Sequence, residues 1–313
     1  MRFWDDKRYY SLNYYLKQHY GRKLYKIALD GGMTCPNRDG TCGSRGCIFC
    51  SEGGSGDFAG DRALSIREQL ALGKASLAEK YSGHSYIAYF QAYTNTYAPV
   101  QHLRRLFEEA VSDPEVCVLS IATRPDCLGE DVIALLTELN LQKPVWVELG
   151  LQTIHPKSAD FIRRGYPLSV FEDAVTRLRN AGIEVIVHTI LFLPGETPSQ
   201  MLDTIRYLNT QDIQGIKLQL LHILKHTDLA SYYEQHPFPL PSLEEYLELL
   251  GACICTLRPD IVIHRITGDG PKSLLIAPLW TSDKRNVLNQ TARYFKEHDI
   301  WQGKYTEDDK SIS

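Results

Sequence analysis

No apolar run in this sequence reaches the roughly 20 residues that a bilayer-spanning helix needs. The opening MRFWDDKRYY lacks the apolar core of a secretory signal. Together these set the expectation of a cytoplasmic chain with no membrane partner. Neither sign of charge dominates: 34 Lys and Arg stand against 38 Asp and Glu, a net charge of −4. That excludes a surface coated in basic charge but leaves room for a local basic patch. Low-complexity linkers are missing, and no internal repeat stands out beyond an alternation of strands and helices. Hydrophobic residues at 43% and charged residues at 23% exclude disorder and collagen-like structure. A chain of 313 residues buries about three quarters of its unfolded surface, so it needs no covalent staples. Structural disulfides are rare in the cytoplasm, so the eight cysteines need another explanation.

The main signal present is alternation. β-Branched and aromatic runs predict strands at 24–29, 85–90, 116–122, 145–150, 184–192, 215–221 and 260–266. Amphipathic stretches fall between them. Ser65–Glu68, Ser169–Glu172, Thr197–Gln200 and Ser242–Glu245 fit capping boxes, with Pro198 at a first helical position. Gly182 closes one helix and Pro259 bounds another. Repeated βα units give a parallel sheet with helices outside, because crossovers are right-handed. An open doubly wound sheet and a full or partial barrel both satisfy this. The polar clusters all follow strands, which favours the barrel, whose active face lies at the C-terminal strand ends. The tyrosine-rich segment 9–20 reads as an amphipathic helix, packed on the barrel wall or stacking on bases.

Four cysteines share one Gly- and Asp-rich loop after the first strand: Cys35, Cys42, Cys47 and Cys50. Thiolates suit zinc or iron–sulfur iron. A structural zinc site wants four closed ligands, and only Cys47 and Cys50 form a CxxC pair. Three thiolates holding a four-iron cluster, with one iron open, is the second reading. Unrelated reduced thiols are the third. Cys117, Cys127, Cys253 and Cys255 read as small buried hydrophobes.

Other strand ends carry chemistry too. The run Phe90–Tyr97 is more polar than a strand exit needs, and it contains Gln91, Tyr93 and Thr94. Thr123-Arg124-Pro125-Asp126 offers a substrate or cofactor contact, or a surface ion pair. Glu148 alternates with apolar neighbours in its strand, so its carboxylate points into the barrel, a costly position unless it is paired. A buried carboxylate in a cleft is a site candidate. His188 sits mid-strand with its facing side undecided. The runs 220–227 and 263–271 serve as substrate-facing loops or as caps over the barrel mouth.

Cys47-Ile48-Phe49-Cys50 resembles the Cys-x-aromatic-Cys ending of the radical S-adenosylmethionine superfamily, where three cysteines after strand 1 hold a [4Fe-4S] cluster. Cys35-Pro36 is similar to the branch related to the catalytic subunit of Elongator, whose first cysteine opens a longer loop. The resemblance implies an α/β fold: a partial (β/α)6-type barrel with an additional C-terminal strand and an N-terminal helix. It makes Cys35, Cys47 and Cys50 the ligands and Cys42 a bystander, although a Cys42-x4-Cys47 register also works. It implies S-adenosylmethionine as second cofactor, contacted by residues among Gln91, Tyr93, Thr94, Thr123 and Asp126. Glu148 or Gln152 would bond the ribose or methionine part, and His188 joins the candidate contacts. Arg164 resembles an arginine that holds the methionine carboxylate, with Arg163 as rival. Gly195 resembles part of an adenine-binding turn. No catalytic residue is implied beyond cluster and cofactor, with Glu148 and His188 as the candidates.

The implied chemistry is one-electron cleavage of S-adenosylmethionine to a 5′-deoxyadenosyl radical, with a flavodoxin or ferredoxin type reductant. The runs 35–40 and 90–99 look like a bacterial family linked to the tRNA wobble uridine. The expectation is change of an existing C5 substituent, such as carboxymethylaminomethyl to aminomethyl, with the tRNA anticodon arm as partner. A radical enzyme acting on a protein or small metabolite, and a non-catalytic metal-bearing RNA-binding module, are the alternatives. Little chain follows Pro271, so an Elongator-type acetyltransferase domain is not expected. Basic residues at both ends offer phosphate contacts: Arg2, Lys7, Arg8, Lys17, Arg22, Lys23 and Lys26, then Lys284, Arg285, Arg293 and Lys296. The expected organisation is a helical extension at 1–23, a barrel core at 24–226 and a C-terminal extension at 227–313.

Overall fold

The computed structural model describes residues 4–54, 56–268 and 270–308. Its main sheet has seven strands, all parallel: β1 (Tyr25–Leu29), β2 (Tyr86–Phe90), β3 (Val116–Thr123), β4 (Val145–Gln152), β5 (Glu184–Leu191), β6 (Gly215–Leu220) and β8 (Val262–Arg265). Their spatial order is their chain order, β1 to β6 and then β8. A doubly wound sheet would reverse direction at a switch point. Each right-handed crossover instead adds its strand on the same side, so the twisted sheet curls into a half-barrel. Helices α2 (Ile66–Ala78), α3 (Val100–Val111), α4 (Glu130–Asn140), α6 (Leu168–Asn180), α7 (Pro198–Asn209) and α9 (Leu243–Thr256) follow the strands, with short α5 (Pro156–Phe161) and α8 (Asp228–Gln235) between them. The main apolar core lies between sheet and helices, where Leu29, Phe90, Phe107, Leu149, Phe171 and Leu250 are fully buried.

The predicted strands agree with the observed ones to within two residues. Sequence reading missed a small antiparallel pair, β7 (Ile223–Leu224) with β9 (Leu275–Ala277), because strands this short carry no periodicity. Capping boxes form at Ser65, Thr197 and Ser242. Ser169 is not a cap: α6 begins at Leu168, so Ser169 already lies inside the helix.

The expected N-terminal helix is α1 (Leu12–Tyr20), capped by Ser11 and closed by Gly21 in the left-handed region. It packs at the N-terminal end of the half-barrel. Leu16 is buried there with Leu24, Ile87, Val118, Trp146 and Ile186, all near strand starts. The Tyr15 hydroxyl donates to Glu184 at 3.2 Å. Just before it, the Ile263 amide donates to the Tyr10 carbonyl at 2.7 Å, covering the exposed edge of β8. Packing therefore explains these tyrosines better than base stacking does. Lys17, in α1, lies at the end opposite the strand exits, Arg8 pairs with Asp299 at 3.0 Å, and Lys7 and Lys284, from the two basic segments, line one shared pocket. Lys26 points inside the barrel. Arg2 lies outside the described residues.

Leu16→Ala should lower stability by about 2–5 kcal/mol, the usual range for a fully packed leucine. A urea unfolding midpoint equal to wild type would show that α1 is only loosely docked.

Helices α10 (Lys284–Glu297) and α11 (Lys304–Asp308) complete the chain's described part against α9. Among the described residues no helix is long and apolar enough to cross a membrane.

Candidate active site

At the C-terminal ends of the strands lies a cavity of about 240 Å3. The loop after β1 forms one wall. Its sequence explains its shape. The Arg38 and Asp39 amides turn back to the Cys35 carbonyl at 2.8 and 3.2 Å. The buried Asn37 amide donates to the Arg163 carbonyl at 2.7 Å and to the Cys47 sulfur at 3.4 Å. The Arg38 guanidinium donates to the Ser51 carbonyl at 2.5 Å. Gly46 has φ +75°, and a Cβ there would sit 2.9 Å from Arg38 Nε. The Cys-Pro-Asn-Arg run thus folds the loop onto its own second half.

Cys35, Cys47 and Cys50 all face the cavity, and all are free thiols. Cys42 is exposed and does not line it. The Cys50 side chain, then burial, raises the Cys47 thiol well above 9.0. Among the described residues no three His, Cys, Asp or Glu side chains converge on a single ion position. A four-iron cluster does not need that, since each of its thiolates binds a different iron. Three separate thiols on one wall fit it, and four convergent thiols for tetrahedral zinc are not present.

The other walls come from the later strand exits. Gln91, Tyr93 and Thr94 face the cavity after β2. Their neighbours explain the rest of that polar run. Asn95 donates to the Phe90 and Ala122 carbonyls at 3.0 and 2.8 Å, and Thr96 bonds Thr123 and the Cys127 carbonyl, knitting β2 to β3. Thr123 and Arg124 face the cavity, whereas Asp126 does not. Asp126 instead clamps the Arg124 guanidinium at 2.6 and 2.9 Å. Gln152 faces the cavity with φ +61°. Arg164 faces it too, held by the carbonyls of Leu151, Thr153 and Tyr166 at 2.7–3.1 Å. Arg163 does not line the cavity and pairs instead with Asp228. Gly195 lies outside the cavity lining; it has φ +84° and open space where a Cβ would stand, so its role here is the turn itself. Cys253 and Cys255 are buried as expected, but Cys117 and Cys127 are only half-buried, Cys127 lying against the charged Asp126.

Glu148 is the centre of the floor. Its side chain is fully buried. It accepts from Lys26 Nζ at 2.8 Å, Ser120 Oγ at 2.8 Å, His188 Nε2 at 2.7 Å and Lys217 Nζ. Burial alone would raise its pKa, but Lys217, then Lys26 and His188, hold it well below 4.5. Burial, reinforced by Lys217, lowers His188 to about 4, so the imidazole is neutral near pH 7. Burial also pushes Lys217 well below 10.5 against the pull of Glu148. The Tyr89 ring lies between Lys26 and Lys217, with the ammonium nitrogens 4.5 and 4.6 Å from its centroid. Four donors saturate a carboxylate, so Glu148 anchors cations rather than offering an open acceptor.

Sequence reading missed Lys217, Tyr89 and Ser120, while Arg265, in the run 263–271, also lines the cavity. Lys217 stands between Ile216 and Leu218 in an apolar strand, the same pattern that exposed Glu148, and Lys26 repeats it in β1.

A curled half-barrel of parallel strands, with three thiols in the loop after β1, defines a class of enzyme built around a cluster at the barrel mouth. The chain belongs to the radical SAM superfamily: that family's model matches residues 40–208, and a radical SAM C-terminal domain matches 213–297. It is therefore an enzyme of that superfamily, whose cofactors are S-adenosylmethionine and a [4Fe-4S] cluster. It is 44% identical over 300 residues to the uncharacterized protein YtqA of Bacillus subtilis, covering 96% of this chain and 93% of that one. It is 25% identical over 188 residues to a tRNA uridine(34) acetyltransferase of Methanocaldococcus jannaschii, covering 59% of this chain and 34% of that one. The solved structure of archaeal Methanocaldococcus infernus Elp3, lacking its N-terminus, shares the fold at TM-score 0.67 and 15% identity, covering 89% of this chain and 64% of that one.

Proposed function

We propose that this radical SAM enzyme acts on tRNA and alters an existing C5 substituent of the wobble uridine, for example carboxymethylaminomethyl to aminomethyl. The observation that carries the radical half is the wall of Cys35, Cys47 and Cys50 on one cavity. The substrate half is supported by the likeness to a tRNA uridine(34) enzyme along 188 residues.

When bound, the reduced cluster and S-adenosylmethionine supply a 5′-deoxyadenosyl radical able to take hydrogen from carbon. The chain's part is to hold and shield. Arg124, clamped by Asp126, and Arg164, clamped by carbonyls, fix the wall facing the thiols. Phe58 stands on the rim with 55% of its surface exposed, available to a splayed base. In the proposed reaction the C–N bond to the carboxymethyl group breaks. The methylene carbon leaves at the aldehyde level as glyoxylate, with its oxygen from water. S-Adenosylmethionine takes up the equivalent of a hydride and leaves as methionine and 5′-deoxyadenosine, which balances the two-electron oxidation.

Deleting the gene should accumulate the acid-bearing wobble nucleoside and deplete the aminomethyl one, read by mass spectrometry of digested tRNA. An unchanged nucleoside profile, with new substrate accumulating in the small-molecule pool, would move the enzyme to another substrate.

A further inference from the structure

The proposed reaction leaves one proton to be placed. Near neutral pH the substituent's nitrogen is a secondary ammonium, and it can form a C=N bond only with its lone pair free. As the hydride equivalent leaves the methylene carbon, the N–H proton must therefore leave the nitrogen. Water then adds to the iminium carbon and gives the aminomethyl ammonium and glyoxylate, with no further net change in protons. One proton is released for each glyoxylate formed, so the cavity has to hold an acceptor. Lys26 and Lys217 aim their nitrogens at Glu148, and Lys217 has only 3% of its side chain exposed. Asp57 stands at the exposed rim, bonded by the Ser51 hydroxyl. His222 lies past the end of β6, beyond the strand layer. His188 differs from all of these. It lies within β5, and 18% of its side chain is exposed in the cavity wall. Glu148 is ionised and can only accept, so the imidazole Nε2 carries the hydrogen of their 2.7 Å bond. That fixes the tautomer and leaves Nδ1 with its lone pair. Nδ1 bonds no group of the chain among the described residues, and it is not one of the buried atoms left without a partner. Lys26, Ser120 and Lys217 hold both oxygens of Glu148, so the carboxylate fixes the ring in turn. A base oriented by a third group is the arrangement that proton transfer at a reacting centre needs.

We propose that His188 is a catalytic base: its Nδ1 takes the proton from the nitrogen of the C5 substituent as the adjacent methylene is oxidised, while Glu148 positions the ring and stabilises the imidazolium that forms. This rests on the tRNA reading above and adds a residue to it. The ring is neutral near pH 7, the form that can accept a proton.

The reconstituted full-length enzyme is given a synthetic anticodon stem-loop RNA with carboxymethylaminomethyluridine, deuterated at the carboxymethyl methylene. Wild type should form one aminomethyl product for each deuterium-bearing 5′-deoxyadenosine. His188→Gln keeps a donor for Glu148 but lacks the basic nitrogen. It should still move deuterium into 5′-deoxyadenosine, while product per 5′-deoxyadenosine falls about ten-fold or more, since a positioned base contributes about 100-fold or more to rate. The ratio is insensitive to the fraction of folded enzyme, and a purely structural role would lower both yields together. Unchanged coupling in His188→Gln, or loss of deuterium transfer along with product, overturns the proton role and leaves the tRNA reading intact. If wild type consumes none of the RNA, the tRNA reading fails and the proton role falls with it. The second measurement is made on wild type alone. Nitrogen-15 shifts of the His188 ring in the full-length chain at pH 7 should show the hydrogen on Nε2 and a bare Nδ1. A hydrogen on Nδ1 would leave no acceptor facing the cavity and overturns the assignment.

Discussion

Cys35→Ala should abolish 5′-deoxyadenosine formation by the anaerobically reconstituted enzyme, whereas Cys42→Ala should leave it close to wild type. The two cysteines are seven positions apart in one loop, and spacing alone lets either complete a set with Cys47 and Cys50. Geometry separates them. Cys35 faces the cavity with Cys47 and Cys50, while Cys42 is exposed and does not line it, its amide tied to the Pro36 carbonyl at 2.8 Å. Bringing Cys42 to the cavity would break that turn and the Asn37 contacts behind it. A cluster held by three thiolates has no spare protein ligand, so losing one loses the cluster. Iron and sulfide content should therefore fall with activity in Cys35→Ala and persist in Cys42→Ala. Equal iron loss in both variants would restore a four-thiol site and sink the three-thiol assignment.

The sequence made the frame legible because a parallel strand buried on both faces is a short, unmistakable apolar run. The β2 run Tyr86–Phe90 has every residue buried, and it could hardly be anything else. Barrel and open sheet share the same alternation of strands and helices, because strand order is a property of crossovers and not of any one run. In the site, residues announced by local context were found: the thiol loop, the polar β2 exit, and Glu148 by its alternation. What stayed hidden were relationships between distant strands. Lys26 and Glu148 are 122 positions apart, and Lys217 and Glu148 are 69 apart. Neither lysine's local sequence shows the carboxylate that its strand meets in the fold. Asp126 and Gly195 do not line the cavity: Asp126 bonds Arg124, which does, and Gly195 stands in the turn after β5 with φ +84°.

Glu148→Gln should destabilise the cofactor-free protein more than any surface change. The carboxylate is completely buried and satisfies two ammonium groups at once. Removing one partner of such a cluster costs about 3–5 kcal/mol, because the remaining charge stays buried without compensation. For a domain of this size that is a fall in Tm on the order of 10 °C. Adding Lys217→Met to Glu148→Gln should recover part of the loss, since a buried pair is often replaced at little cost by apolar groups of similar volume. That recovery distinguishes charge imbalance from a packing defect, because a packing defect would only deepen with the second substitution. Acid should have a related effect. Glu148 is held below its unfolded value, so its contribution is complete above pH 4.5 and is lost as pH falls below that. His188 is held neutral to about pH 4, while an unfolded histidine protonates near 6.5, so folding loses ground between those values as well. Both slopes have the same sign, and wild-type stability should fall steadily from pH 6.5 downwards. In Glu148→Gln the limb below pH 4.5 should flatten, read from urea midpoints at stepped pH. An identical acid limb in wild type and variant would mean that the carboxylate is protonated in the fold, and that the floor carries even more uncompensated positive charge than its geometry implies.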